Sequence, residues 1–106
     1  MNKQLSCEEK IDQELNSRIK DFKNALNNED DFIEWLNDYA LAYEDDPHYR
    51  AKKLELSYGG PADGFRFFED GTIQYYYQDW FDGAIRTLYG EDYKIMLEVY
   101  ENYLDI

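Results

Sequence analysis

The sequence predicts one α+β domain in the order α-α-β-β-β-α, with the helices packed on one face of a three-stranded antiparallel meander. Three observations predict this arrangement. Apolar residues recur at helical spacing in the first half of the chain, alternate with polar residues between positions 54 and 80, and return to helical spacing at the end. The length of 106 residues suits a single domain, which we place at 1–106.

The first helix is expected to begin at Ser6. Ser6 and Glu9 have the spacing of a capping box, in which each side chain bonds a free backbone N–H. The apolar stripe that follows comprises Ile11, Leu15, Ile19, Phe22 and Leu26. Residues 27–28 separate it from a second helix, which we expect to end before Pro47 because proline disfavours helix at the preceding residue. The apolar face of the second helix comprises Phe32, Trp35, Leu36, Tyr39, Ala40 and Tyr43.

Three strands are expected after the helices. Leu54, Leu56 and Tyr58 alternate with polar residues and predict the first strand, and residues 65–68 and 72–80 predict the second and third. Residues 59–64 form a loop between the first two strands. Gly71 suits the short hairpin connection between the other two, because glycine accepts a positive φ angle.

The end of the third strand and the closing helix complete the predicted fold. In the predicted third strand, Ile73, Tyr75 and Tyr77 share one face, so Tyr76 lies on the other. Residues 79–83 turn the chain, and Asp79 and Asp82 are expected to cap that turn. A closing helix after Gly90 is indicated by Tyr93, Met96, Leu97, Tyr100 and Leu104.

The composition excludes several classes of function. With 24 acidic and 11 basic residues the net charge is −13, which disfavours direct binding to nucleic acid or to an anionic membrane. No apolar run approaches the roughly 18 residues of a membrane span, and the first residues do not resemble a signal peptide. A single cysteine allows no intrachain disulfide. We therefore expect a cytoplasmic protein without a membrane or nucleic-acid partner.

The acidic residues are concentrated between positions 27 and 46, where eight acids occur without a base; they are Glu29, Asp30, Asp31, Glu34, Asp38, Glu44, Asp45 and Asp46. On a helix Asp31, Glu34 and Asp38 would form a stripe on the solvent face that Asp45 continues. Like charges four residues apart are mildly destabilising, so local stability does not explain Glu34 and Asp38. One interpretation is a binding surface, and the other is that the acids only maintain solubility.

Tyr76 adds an aromatic group to this picture. If helices cover the opposite face of its strand, Tyr76 is exposed and suits a protein interface, where tyrosine is enriched; alternatively it covers the open face of a small sheet. The predicted partner-binding residues are Asp30, Asp31, Glu34, Asp38, Glu44, Asp45, Asp46, Tyr76, Asp79 and Asp82.

Catalytic motifs are weak. Cys7 and His48 are the only cysteine and histidine. We interpret Cys7 as a residue of the first helical turn and His48 as a loop residue, in preference to a nucleophile and its base. The acids near Gly83 do not fit a calcium loop, and residues 59–61 lack a phosphate-binding pattern. We expect no catalytic residue, no metal and no cofactor, although a carboxylate-based metal enzyme using Asp79 and Asp82 stays a third hypothesis.

In size, acidity and aromatic content, including the stretch 75–83, the chain resembles the small anti-defence proteins of phages and mobile elements. These include anti-CRISPR proteins and anti-restriction DNA mimics. The resemblance implies an inhibitor that docks on the nucleic-acid-binding surface of a basic host protein or nuclease complex. The alternative is an immunity protein or antitoxin that neutralises a basic toxin.

Overall fold

The computed structural model describes residues 5–104, which form three α-helices and one five-stranded antiparallel sheet. The helices are α1 (Cys7–Asn28), α2 (Phe32–Tyr39) and α3 (Gly90–Val99), and α3 continues as a π-helical turn, Tyr100–Leu104. The strands are β1 (Ala42–Asp46), β2 (Ala51–Ser57), β3 (Ala62–Phe68), β4 (Ile73–Gln78) and β5 (Gly83–Thr87). They lie in the sheet in chain order, so the sheet is a simple meander.

The predicted start and stripe of α1 are confirmed. Ser6 Oγ accepts a hydrogen bond from the Glu9 N–H at 3.2 Å, and Glu9 Oε1 accepts one from the Ser6 N–H at 3.0 Å. This capping box satisfies backbone groups that a helix start leaves without partners. The stripe from Ile11 to Phe22 is buried. Helix α1 lies across β4 and β5 and is the main cover of the sheet.

The core lies between the helices and one face of the sheet. Phe22 of α1 meets Phe65 of β3 edge to face, with ring centroids 5.9 Å apart. Tyr100 stacks on Phe67 at 5.0 Å, which seats the end of the third helix over the centre of the sheet. The predicted inner face of β4, with Ile73, Tyr75 and Tyr77, is buried and confirmed.

The predicted three-stranded meander is wrong, and the first missing strand is β1. Helical spacing from Tyr39 to Tyr43 suggested that the second helix continued, but α2 ends at Tyr39 and residues 42–46 are extended. The register of β1 against β2 places Glu44 opposite Lys53 and Asp45 opposite Lys52. Opposite charges facing each other across a strand pair stabilise this pairing. A helix would separate the same charges.

The second missing strand is β5, which follows the turn at residues 79–83. It pairs with β4 over five positions, from Gln74 opposite Thr87 to Gln78 opposite Gly83. Arg86 leaves this strand to bond Asp12 of α1, with Nε 2.9 Å from Oδ1, and Glu8 at 2.8 Å. These ion pairs fix the edge strand to the covering helix, which the sequence pattern did not indicate.

A buried polar cluster ties the helices to the sheet. The Asp63 side chain is 2% exposed and accepts hydrogen bonds from Arg18 Nε and Nη2, both at 2.8 Å, and from the Tyr75 and Ser57 hydroxyls. Arg18 also donates to the Tyr39 hydroxyl at 2.9 Å, which connects α2 to α1. Desolvation raises the pKa of Tyr39 to about 12. A buried charge needs partners of this kind, and Asp63 has four hydrogen bonds.

Candidate functional site

Five exposed acids lie at the junction of α1 and α2, and we call them the acidic surface: Glu29, Asp30, Asp31, Glu34 and Asp38. Helix α1 ends at Asn28, and Glu29 turns the chain with extended φ and ψ angles. Asp31 is the N-cap of α2, and its Oδ1 accepts a hydrogen bond from the Glu34 N–H at 3.1 Å. The five acids therefore lie in one short segment that runs from the end of α1 through α2.

The opposite side of α2 fixes the direction of these acids. Trp35 and Tyr39 stack at 4.5 Å between ring centroids, and Trp35 meets Phe22 of α1 edge to face at 5.3 Å. Phe32 and Leu36 are buried beside them. Since this face packs on the core, Glu34 and Asp38 on the other face are held in solvent.

No ion pair neutralises the acidic surface within residues 5–104. The described ion pairs involve none of its five residues. The nearest base before it in the chain, Lys23, bonds Glu91 of α3 at 2.6 Å. The next base is Arg50, beyond the end of β1. The charge of this segment is thus available to a partner molecule.

The structure separates the other predicted acids from this surface. Glu44 and Asp45 lie on β1, not on α2, and Asp45 pairs with Lys52. Asp46 is 8% exposed and accepts a hydrogen bond from Arg66 Nε at 3.1 Å. Asp46 is therefore mostly buried and paired with Arg66 within the domain. The expected continuation of the stripe to Asp45 is wrong because α2 ends earlier.

The prediction that Tyr76 is exposed is wrong as well. Its ring is 5% exposed, although it lies on the face of the sheet away from the helices. The Arg66 guanidinium lies 4.5 Å from the ring centroid, and the ammonium of Lys53 lies 5.9 Å from it. The ring also covers Gly64, where a Cβ would overlap it. Tyr76 covers the open face of the sheet, which was the alternative interpretation.

Asp79 and Asp82 cap the turn between β4 and β5, as predicted. Asp79 Oδ1 accepts hydrogen bonds from the N–H groups of Phe81 and Asp82, both at 3.0 Å. The bond from the Phe81 N–H lowers the pKa of Asp79. Asp82 Oδ2 accepts from the Cys7 N–H at 2.8 Å and so caps the start of α1. Both carboxylates bond the backbone of the protein itself.

Two aromatic residues that the site prediction left out are the most exposed of the large apolar side chains described. Phe81 is 99% exposed and Trp80 is 78% exposed, and both lie at the turn between β4 and β5. We call this pair the aromatic tip. One signal in the sequence was available: two adjacent aromatics flanked by turn residues, Asp79 and Gly83, are at positions from which the core is out of reach.

The two residues considered for catalysis, Cys7 and His48, lie at the start of a helix and in a turn. Cys7 is buried at the start of α1, and burial raises the pKa of its thiol. A nucleophilic cysteine needs the opposite shift, toward thiolate. His48 lies in the exposed turn between β1 and β2. Among residues 5–104, no group of three or more His, Cys, Asp or Glu side chains is arranged to hold a metal ion.

The fold and these surfaces define an acidic α+β domain with an acidic surface at one end of α1 and an aromatic tip at the other. Comparison with protein-family models, with curated proteins and with solved structures finds no match for the chain. No helix within residues 5–104 is both long and apolar enough to cross a membrane.

Proposed function

We propose that the protein is an inhibitor of a nucleic-acid-binding defence complex of the anti-CRISPR or anti-restriction type. The acidic surface would occupy the basic groove that normally holds nucleic acid. The observation that carries this proposal is the lack of any ion pair at Glu29, Asp30, Asp31, Glu34 and Asp38 among the described residues. Charges that the fold leaves unpaired are available to a basic partner.

The spacing of the acids supports a mimic of the nucleic-acid backbone. Glu34 and Asp38 are one helical turn apart, with an axial rise of about 6 Å. Phosphates of one DNA strand advance about 3.4 Å per nucleotide, so two steps cover a similar distance. A groove lined with Lys and Arg for phosphates would therefore meet carboxylates at comparable intervals.

Some of these acids do not stabilise the domain, and this supports the proposal. Glu34 and Asp38 repel each other at i, i+4, and Asp38 lies in the last turn of α2, where the helix dipole disfavours negative charge. Asp31 caps α2 through its side chain, and Glu34 lies in the first turn of α2, where the helix dipole favours negative charge. Glu29, Asp30 and Asp38 add charge without such a contribution, which favours a role outside the domain.

The test is displacement of a fluorescent DNA duplex from purified basic nucleases, namely restriction endonucleases and guide-loaded CRISPR effectors. We expect the protein to displace DNA from at least one of them, and we expect its own binding to that nuclease to weaken as salt is raised. The double variant Glu34→Lys/Asp38→Lys should lose displacement. Asp31 is left unchanged so that the cap of α2 is kept.

The matched control is Glu98→Lys/Glu101→Lys, on the exposed side of the closing helix. Both double variants raise the net charge of −13 by the same four units. The control should retain displacement, and circular dichroism should show that both variants are folded. Equal loss in the two variants would show that overall charge, not the acidic surface, is responsible, and would refute the proposal. Absence of displacement across the whole panel would also refute it.

A further inference from the structure

The aromatic tip is a second surface that the proposed function does not use. Trp80 and Phe81 expose 78% and 99% of their area, and Leu5 beside them is half exposed. Burying such side chains is favourable, and this fold leaves them in water. Contiguous exposed apolar groups at a protrusion mark sites where another molecule binds.

The backbone of the tip is held in place by hydrogen bonds of Asp79 and Asp82. Asp79 Oδ1 binds the Phe81 and Asp82 N–H groups, and the Asp79 N–H donates to the Asp82 carbonyl at 2.8 Å. Asp82 Oδ2 then attaches the turn to the Cys7 N–H at the start of α1. The two aromatics are therefore presented on a fixed support, and preorganisation of this kind lowers the entropic cost of binding.

A groove of about 380 Å³ runs beside the tip. Its lining residues include the apolar Leu5 and Pro61, the basic Lys10, and the acidic Asp79 and Asp82. The indole of Trp80 lies against Gly60, where a Cβ would overlap it. The tip thus combines an exposed aromatic pair with a groove lined by two acidic residues and one basic residue.

Area and charge favour a protein of different sequence as the occupant. Two large aromatic side chains supply about 300–500 Å², whereas a stable interface needs roughly 800 Å² from each partner. Two tips packed on each other would bury little beyond these rings, whereas a pocket that encloses the tip would also cover Leu5 and Pro61 in the groove beside it. The net charge of −13 also repels a second copy and an anionic lipid surface.

We propose that the aromatic tip is a hydrophobic anchor that inserts into an apolar pocket with a Lys- or Arg-containing rim on a partner protein. Tryptophan is among the residues that most often dominate binding energy, and an apolar pocket would cover both rings. Helix α1 has 22 residues, about 33 Å in length, and separates the tip from the acidic surface. The anchor is therefore a separate contact, and it does not depend on which protein binds the acidic surface.

The test places a photo-crosslinking amino acid, p-benzoylphenylalanine, at position 81, with position 89 as the control. Tyr89 is 77% exposed and lies outside the groove. After irradiation of cells that produce the protein, the adduct is identified by mass spectrometry and the crosslinked peptide is mapped. We expect an adduct at position 81 alone, on a peptide that lines an apolar pocket and carries Lys or Arg at its edge.

The purified partner then allows affinities to be compared. Trp80→Ser and Phe81→Ser should each weaken binding about thirtyfold, the effect of losing a hot-spot residue. Tyr89→Ser, which removes an equally exposed aromatic, should leave affinity unchanged. Equal loss in all three variants, or no adduct at position 81, would overturn the proposal.

Two further arms identify the other occupants. Crosslinking only to a second copy, with a dimer in solution, would show that the tip is a self-interface. Flotation with neutral phosphatidylcholine vesicles that depends on Phe81 would show a lipid contact. Either result overturns the proposal. The variant Glu34→Lys/Asp38→Lys should keep the adduct at position 81, so failure of the acidic surface and failure of the anchor are distinguishable.

Discussion

At each end of α1 one aspartate caps a helix, but the side chains left exposed beside that aspartate differ. At the C-terminal end Asp31 caps α2, and the neighbouring acids Glu34 and Asp38 are left without an ion pair. At the N-terminal end Asp82 caps α1, and the neighbouring aromatics are left outside the core. In each case one carboxylate stabilises the backbone and the adjacent side chains are free to contact a partner.

At the two ends of α1, residues of the same type have different roles. Asp82 and Asp38 are both aspartates on the surface, yet Asp82 accepts a hydrogen bond from the Cys7 N–H, whereas the Asp38 carboxylate is in none of the described ion pairs. Removal of the Asp82 carboxylate should destabilise the fold, whereas removal of the Asp38 carboxylate should weaken binding without destabilising the fold.

The largest effect is expected from Asp63→Ala, which disrupts the buried polar cluster that joins α1 to the sheet. Its loss leaves the Arg18 guanidinium, with a side chain only 22% exposed, without its anion. Breaking such a buried pair costs about 3–5 kcal/mol, a large part of the stability of a domain this size. Urea denaturation should show this decrease in the free energy of unfolding.

The control for this prediction is Ser57→Ala, which removes one neutral donor to the same carboxylate. It should cost about 1 kcal/mol, the usual value for one hydrogen bond. If Asp63→Ala cost no more than Ser57→Ala, the cluster would not be the element that joins α1 to the sheet.

The helices and the central strands could be predicted because their signals are local. The box of Ser6 and Glu9 and the stripe from Ile11 to Phe22 lie within one helix, and the alternation in β4 lies within one strand. The strand β1 could not be predicted in the same way. Asp45 pairs with Lys52 across the sheet and Glu44 lies opposite Lys53, and a pattern read along one segment does not contain that register.

The site was predicted in part for the same reason. Exposed acids on α2 follow from helical periodicity, so Glu34 and Asp38 were placed on the correct face. The burial of Tyr76 depends on Arg66, which reaches it from a neighbouring strand. Alternation along β4 gives the face of Tyr76 but not what covers it. Burial on the open face of a sheet requires the register of its neighbours.

A smaller effect, confined to the aromatic tip, is expected from Asp82→Ala. The Cys7 N–H loses its acceptor in a buried place, which should cost about 1–2 kcal/mol. Amide hydrogen exchange should become faster at Cys7 and Gly83 and stay unchanged at Glu34 in α2. The control Asp82→Asn keeps a carbonyl oxygen and should lose less. Faster exchange at both ends of α1 would show that the two surfaces are not independent.

The smallest effect is expected from Asp38→Lys, and its sign is opposite. Lysine at this position follows Glu34 at i+4 and lies in the last turn of α2, where the helix dipole favours positive charge. The free energy of unfolding should therefore increase by about 0.5 kcal/mol, whereas displacement of DNA should weaken. Asp38→Asn removes the repulsion without adding the new pair, so its gain should be about half as large. Thermal denaturation should therefore show stability rising from the unaltered protein to Asp38→Asn and then to Asp38→Lys. A variant that is more stable and binds less well cannot owe its defect to unfolding, whereas a loss of stability in Asp38→Lys would mean that this acid supports the fold.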